Sequence, residues 1–151
     1  MPKTDTHRAD FTFCHPLRVR WSEVDRQDVV FNGHYFTYFD VGICEYWRAV
    51  GVPYPDGYVD RYGTDIYAVK ATAEYHGSAR YDQLIDVCCR VGRIGRTSLQ
   101  FLFGVWHETE LITTGELIYV NADPKSKSSV PWPEEFKARL LGFEQTPPVV
   151  A

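Results

Sequence analysis

Two periodicities divide the chain. From Tyr35 onward apolar residues return every three or four positions, at Tyr35, Phe39, Gly42, Ile43, Tyr46 and Val50, the spacing of one helix face. Phe36, Tyr38, Val41, Cys44 and Trp47 carry apolar character around the flanks, and a helix apolar over most of its circumference belongs in a core. The pattern predicts a start near Asn32 and Gly33 and a stop at Gly51, with Pro53 beyond. Elsewhere the apolar positions alternate by twos. Leu17, Val19 and Trp21 fall on one face of a first strand and Arg18 and Arg20 on the other, with Pro16 at its entry.

After Thr64 the chain reads as strand almost throughout. Residues 66–76 place Tyr67, Val69, Ala71, Ala73 and Tyr75 on one face; 84–93 place Ile85, Val87, Cys89 and Val91; 98–107 place Leu99, Phe101, Phe103 and Val105; 111–121 form a fourth strand. The links between the last three are too short for crossovers, so those strands form an antiparallel meander. Residues 52–63, rich in Pro, Gly and Tyr, read as loop with room for one helical turn. Pro133 opens a closing helix over 134–141, with acids at its start, Arg139 near its end and Gly142 as its stop. The expectation is one α+β domain over 1–151, with a core of about 14–142, loose ends at 1–13 and 143–151, and the order β-α-β-β-β-β followed by a short helix. One sheet cannot cover a helix on every side, so it must curl around the helix or a second copy must cover the remainder.

Composition narrows the class. The formal charge of −4, from 16 basic and 20 acidic residues, argues against nucleic acid as partner. No apolar run reaches the ~18–20 residues of a membrane helix, and the polar N-terminus lacks a signal peptide's apolar stretch. Cytoplasm is the expected compartment. Cys14, Cys44, Cys88 and Cys89 show no CxxC pair and are expected to be reduced, packed thiols. The five histidines lack metal-ligand spacing, and no GxSxG is present, so zinc and serine-nucleophile hydrolysis find no support. Neither a metal nor a cofactor is expected.

Chemistry concentrates between the first strand and the helix. Glu23, Asp25 and Asp28 lie within six positions of one another. A carboxylate beside a helix N-terminus can act as nucleophile or general base; it can equally be a turn acid on a solvated loop. The amides of Asn32 and Gly33 open the helix without internal partners and can stabilise an anion, or form an ordinary cap. Three carboxylates in one place would raise the pKa of at least one. His34 can orient a ligand or sit on the surface. Arg80, Arg93 and Arg96, with Lys70 less central, can bind phosphates or serve solubility. Tyr35, Tyr38, Phe39, Tyr46 and Tyr67 can line an apolar pocket or simply fill the core.

Three stretches together resemble a known family. RVRWSEVDRQDVVFNGHYFTYFD, AEYHGSARYDQLIDV and GRIGRTSLQFLFGVW are similar to the hotdog-fold acyl-CoA thioesterases, in the 4-hydroxybenzoyl-CoA thioesterase-like branch. The resemblance spans residues 17–121 and keeps the family's ten-residue spacing from Asp25 to Tyr35. It implies an antiparallel sheet wrapped around one long buried helix. It implies hydrolysis of an acyl-CoA thioester, with Asp25 as nucleophile or base, the amide of Asn32 as oxyanion donor beside Gly33, and Tyr35, Arg80, Arg93, Arg96 and Ser98 around the substrate. A homodimer or homotetramer with sites at the subunit interface also follows from it. Asp28 stands where the family has Gly, and Val29 where one subgroup has His. A carrier-protein thioesterase and a non-catalytic acyl-CoA-binding protein are the alternatives. A hotdog hydratase fits poorly, because neither Asp25 nor Asp28 is followed by His five residues on.

Overall fold

A computed structural model describes residues 5–151. Six strands and two α-helices follow in the order β1 (Phe13–Arg18), α1 (His34–Ala49), β2 (Asp65–Tyr75), β3 (Leu84–Ile94), β4 (Ser98–His107), β5 (Glu110–Ala122), α2 (Glu134–Phe143) and β6 (Val149–Val150). The sheet order is β1-β3-β4-β5-β2, all antiparallel, with β6 added in parallel against β3. The sheet curls around α1. This is the hotdog arrangement of an α+β fold.

The helix is held by the stripe its spacing predicts. Tyr35, Phe39, Gly42, Ile43, Tyr46 and Val50 are all buried, joined by Tyr38 and Trp47. Phe39 stacks on Phe103 of β4 at 4.3 Å, and Tyr46 meets Phe101 edge-on at 5.1 Å. Each such buried ring contributes about 1.5–3 kcal/mol. Close approach requires two glycines. A Cβ on Gly42 would lie 2.9 Å from Val87, and one on Gly115 would lie 2.5 Å from the Phe39 ring. Gly51 ends the helix region at φ +85°, the left-handed conformation glycine adopts without steric cost. Phe136 and Leu140 of α2 are buried with Trp47, Tyr58 and Trp132.

Several details depart from the alternation. The first strand is Phe13–Arg18, and the chain leaves it in a 3₁₀ turn over Trp21–Glu23. Trp21 is therefore 78% exposed instead of sharing a buried face with Leu17 and Val19. Pro16 falls within β1, which tolerates it as an edge strand. In β2 a bulge between Ala68 and Lys70 reverses the facing. Ile66 and Ala68 pair with Asn121 and Tyr119, whereas Ala71, Ala73 and Tyr75 pair with Leu117, Gly115 and Thr113. Tyr67 consequently faces outward to Lys127, and Val69 is 61% exposed.

The cysteines and the ends also differ. Cys14 and Cys88 are direct cross-strand partners in β1 and β3 and form a disulfide; only Cys44 and Cys89 are free thiols. Gly142 does not stop α2, which runs to Phe143. Of the segment expected to be loose at the start, residues 1–4 lie outside the described residues. The rest packs: Phe11 is buried against Trp106 and Cys88, and Arg8 pairs with Asp86 at 2.7 Å. At the other end, Glu144 is buried. It accepts the Tyr46 hydroxyl and the Val91 amide, both at 2.7 Å, and so occupies the edge of β3 between its pairings with β1 and β6.

Candidate active site

The acid loop is a small hairpin. Val24 and Val30 form an antiparallel bridge. The Asp25 amide donates to the Val29 carbonyl at 2.9 Å, and the Asp28 amide donates to the Asp25 carbonyl at 3.0 Å. Asp28 takes φ +60°. That left-handed geometry is one glycine adopts without steric cost, and Asp is among the side chains that tolerate it.

Asp25 is half-buried at the hairpin's base. Its Oδ1 accepts the Gln27 amide at 2.7 Å, an Asx turn of the kind turn-forming aspartates make. Among the described residues its second oxygen has no intramolecular partner. Two adjoining clefts share Asp25 as a wall. One, of about 180 Å³, is lined by Val29, Val30, Asn32, Tyr35, Tyr75, Gly77 and others. The other, of about 410 Å³, is lined by Trp21, Val24, Asp28, Arg80 and Tyr81.

Three segments are tied together around the smaller cleft. Val30 donates its amide to the Ala79 carbonyl at 2.9 Å, and the Ala79 amide donates to the Tyr35 hydroxyl at 3.1 Å. Tyr75, at the end of β2, donates its hydroxyl to the Asn32 carbonyl at 2.9 Å. Burial pushes the Tyr35 phenol above its ordinary pKa, so Tyr35 is a neutral strut. The amides of Asn32 and Gly33 make no hydrogen bond among the described residues. Asn32 lines the cleft. Gly33, immediately before α1, does not, and the Phe31 ring lies against it.

Glu23 does not join Asp25 in a carboxylate cluster. It is buried and turned into the fold, where it accepts the Arg20 amide at 2.8 Å, the Arg20 Nε at 3.0 Å and the Tyr38 hydroxyl at 2.9 Å. Burial pushes its carboxyl up, but these donors and the Arg20 charge outweigh that, and its pKa falls below the ordinary value. The Glu23 carbonyl also receives the Phe31 amide at 3.0 Å. Glu23 is thus a brace under the hairpin that carries Asp25.

The remaining expected residues are dispersed. Arg80 reaches the Asp28 carbonyl at 3.4 Å, on the rim of the larger cleft. Arg93, Arg96 and Ser98 surround the β3–β4 turn, roughly 30 Å along β3 from the Arg80 end at 3.3 Å per residue. The Ser98 carbonyl there accepts the Trp132 indole. His34 packs edge-on against Phe31. Sequence reasoning missed Tyr75 as a cleft residue and the exposed Trp21–Tyr81 pair. The bulge in β2 and the early end of β1 hid both.

The model of the thioesterase superfamily matches residues 27–113, more than half of the chain. The protein belongs to the thioesterase superfamily. Thioester hydrolysis is therefore its class of reaction. The match begins two residues after Asp25, so that residue stands on its geometry. A putative esterase from Aquifex aeolicus (strain VF5) is 28% identical over 96 residues, covering 64% of this chain and 73% of its own. Among solved structures, a DHNA-CoA thioesterase from Staphylococcus aureus superposes with a TM-score of 0.76 at 19% identity, over 83% of this chain and 86% of its own. A hypothetical protein from the same species, solved in complex with CoA, gives 0.80 at 13% identity, over 92% and 87%. At these identities the structures establish the shared fold. No helix among the described residues is long and apolar enough to cross a membrane.

Proposed function

We propose that this thioesterase hydrolyses an acyl-coenzyme A, releasing a carboxylic acid and free coenzyme A. The observation that carries the reading is Asp25: one carboxylate oxygen is fixed by the Gln27 amide, the other is free, and both clefts open on it. The free oxygen attacks the thioester carbonyl or takes a proton from the attacking water. The carbonyl oxygen gains negative charge and is received by the Asn32 amide, at the positive end of α1. Gly33 serves as the spacer behind it. Its N–H lies on the same peptide as the Asn32 carbonyl that Tyr75 holds, and in a trans peptide the two point oppositely. The S. aureus relatives, one a DHNA-CoA thioesterase and one complexed with CoA, support coenzyme A as the carrier.

A second copy completes the site in this reading. β2 is an eleven-residue edge strand without proline and with one edge unpaired, and it ends at Tyr75 in the smaller cleft. Such an edge pairs readily with another chain, giving a homodimer or, by further packing, a homotetramer. We place the reaction in the cytoplasm, although the Cys14–Cys88 disulfide is of a kind that persists in oxidising compartments.

The test is a panel of acyl-CoA substrates in a thiol-release assay, with light scattering for the assembly. Turnover of at least one acyl-CoA is expected. Tight binding of every acyl-CoA without release of thiol would make the protein a binder.

A further inference from the structure

We infer that Tyr75 is the positioning residue for the oxyanion donor: from the end of β2 its hydroxyl clamps Asn32 at the opening of α1 and so aims the Asn32 amide at the thioester oxygen. The inference rests on the acyl-CoA reading and adds to it a residue that acts through another.

The opening of α1 needs an outside hold. Its first three amides all donate to the third residue back: His34 to Phe31 at 3.0 Å, Tyr35 to Asn32 at 3.4 Å and Phe36 to Gly33 at 3.3 Å. Two of the three are long, and bonds of this 3₁₀ type have poorer geometry than α-helical ones. Gly33, in the capping position, has no side chain to bond the turn. A first turn held this loosely frays unless something else holds it.

The Asn32 amide is the group that fraying would displace. It lies on the Phe31–Asn32 peptide, whose carbonyl accepts the His34 amide. The next peptide offers the Asn32 carbonyl to the Tyr35 amide at 3.4 Å and to the Tyr75 hydroxyl at 2.9 Å. Among the described residues, Tyr75 is the one side chain that bonds the backbone of 31–33. Without it the downstream peptide keeps only the long bond, and rotation about the Asn32 Cα redirects the amide.

Tyr75 is itself firmly placed. Its backbone pairs with Thr113 of β5, and the amides of His76 and Gly77 both donate to the Ile112 carbonyl, at 2.8 and 3.0 Å. Its ring meets the buried Tyr35 at 5.6 Å. A side chain carried on a sheet strand is fixed more exactly than one on a loop. The contact adds little to folding, because Tyr75 is 39% exposed and a released hydroxyl would bond water instead. What it supplies is direction. As the thioester carbonyl becomes tetrahedral its oxygen moves, and only a donor already aimed at the new position stabilises it. Loss of the clamp therefore falls on kcat and leaves KM alone.

The experiment is Tyr75→Phe, which keeps the ring against Tyr35 and removes the hydroxyl. Thiol release gives kcat and KM. Inhibition is measured with two analogues of the preferred acyl-CoA: a trifluoromethyl ketone, whose hydrate carries the oxyanion, and an alkyl thioether, which has no carbonyl oxygen. Amide hydrogen exchange reports on the first turn of α1. We expect kcat to fall roughly tenfold with KM unchanged, less than the ~10²–10³ of removing a donor outright. The ketone should bind more weakly by a similar factor and the thioether equally well, while the Tyr35 and Phe36 amides exchange faster. Equal losses on both analogues, or a change in KM alone, overturn the inference, since Tyr75 would then line the pocket. A fall in kcat with exchange unchanged overturns it as well, because the hydroxyl would then act on the substrate itself. Wild-type kcat despite faster exchange overturns it and leaves the hydrolase reading intact. If the wild type releases thiol from no acyl-CoA, the hydrolase reading fails and exchange decides. Faster exchange in Tyr75→Phe then upholds Tyr75 as the clamp on Asn32, and unchanged exchange overturns it.

Discussion

Removing the Glu23 side chain tests how the hairpin that carries Asp25 is held. In Glu23→Ala the Tyr38 hydroxyl, almost fully buried, loses its acceptor, and stranding such a group costs about 1–3 kcal/mol. The Arg20 side chain is 73% exposed, so its ion pair with Glu23 adds little. A net loss of about 2 kcal/mol lowers the melting temperature by about 4–8 °C in a chain of this size. Because the hairpin carries Asp25, turnover falls by up to about 100-fold, as a misplacement of about 1 Å produces. Glu23→Gln keeps an acceptor for Tyr38 and loses less. The pH dependence has a definite sign. The folded state holds the Glu23 carboxyl below its ordinary pKa of 4.5, so the unfolded state binds more protons in that range and stability rises with pH. The contribution is complete above 4.5 and is lost as pH falls toward the folded value; Glu23→Gln lacks it. Thermal melts from pH 3 to 7 and thiol-release kinetics measure both effects. Wild-type melting and turnover in Glu23→Ala would refute the brace.

Three further outcomes follow from the fold. Asp28→Gly relieves a left-handed φ of +60°; the relief of about 1–2 kcal/mol, less glycine's entropic cost of about 0.5–1 kcal/mol, predicts a small rise in stability by denaturant titration. Glu144→Gln stabilises more at pH 8 than at pH 5, because burial first, against the Tyr46 and Val91 donors, raises the Glu144 pKa. The folded state then loses stability as pH rises from 4.5 through that raised value, and chemical melts at the two pH values measure the difference. Thiol titration of the unfolded, unreduced protein gives two reactive groups, Cys44 and Cys89, and four after reduction; four without reductant would contradict the Cys14–Cys88 pairing.

What the amino-acid order conveyed depended on regular spacing. The α1 stripe, the inward face of β3 as far as Val91 and that of β4 as far as Val105 follow periods of 3.6 and 2, and their residues pack as the spacing requires. The β2 bulge inserts one residue and reverses the faces after it, and nothing local distinguishes it from continued alternation. The Cys14–Cys88 bond depends on the register of strands 74 residues apart in sequence, which no local pattern encodes. β6 and Glu144 are fixed only by the exposed edge of β3 they fill. At the site, the spacing that singled out Asp25, Asn32 and Tyr35 brings them to one cleft. Glu23 looked like a neighbour of Asp25 because it is close in sequence. The 3₁₀ turn at Trp21–Glu23 instead directs it inward, and its three-residue spacing from Arg20 was the available sign.

The central claim is that Asp25 acts on the thioester. Asparagine at this position keeps an oxygen for the Gln27 amide and so preserves the hairpin, while removing the charge and the basic oxygen. Steady-state thiol release from the preferred acyl-CoA should fall by ~10²–10⁴ in Asp25→Asn, with the melting temperature essentially unchanged. Turnover at the wild-type rate in a folded Asp25→Asn protein would contradict the account.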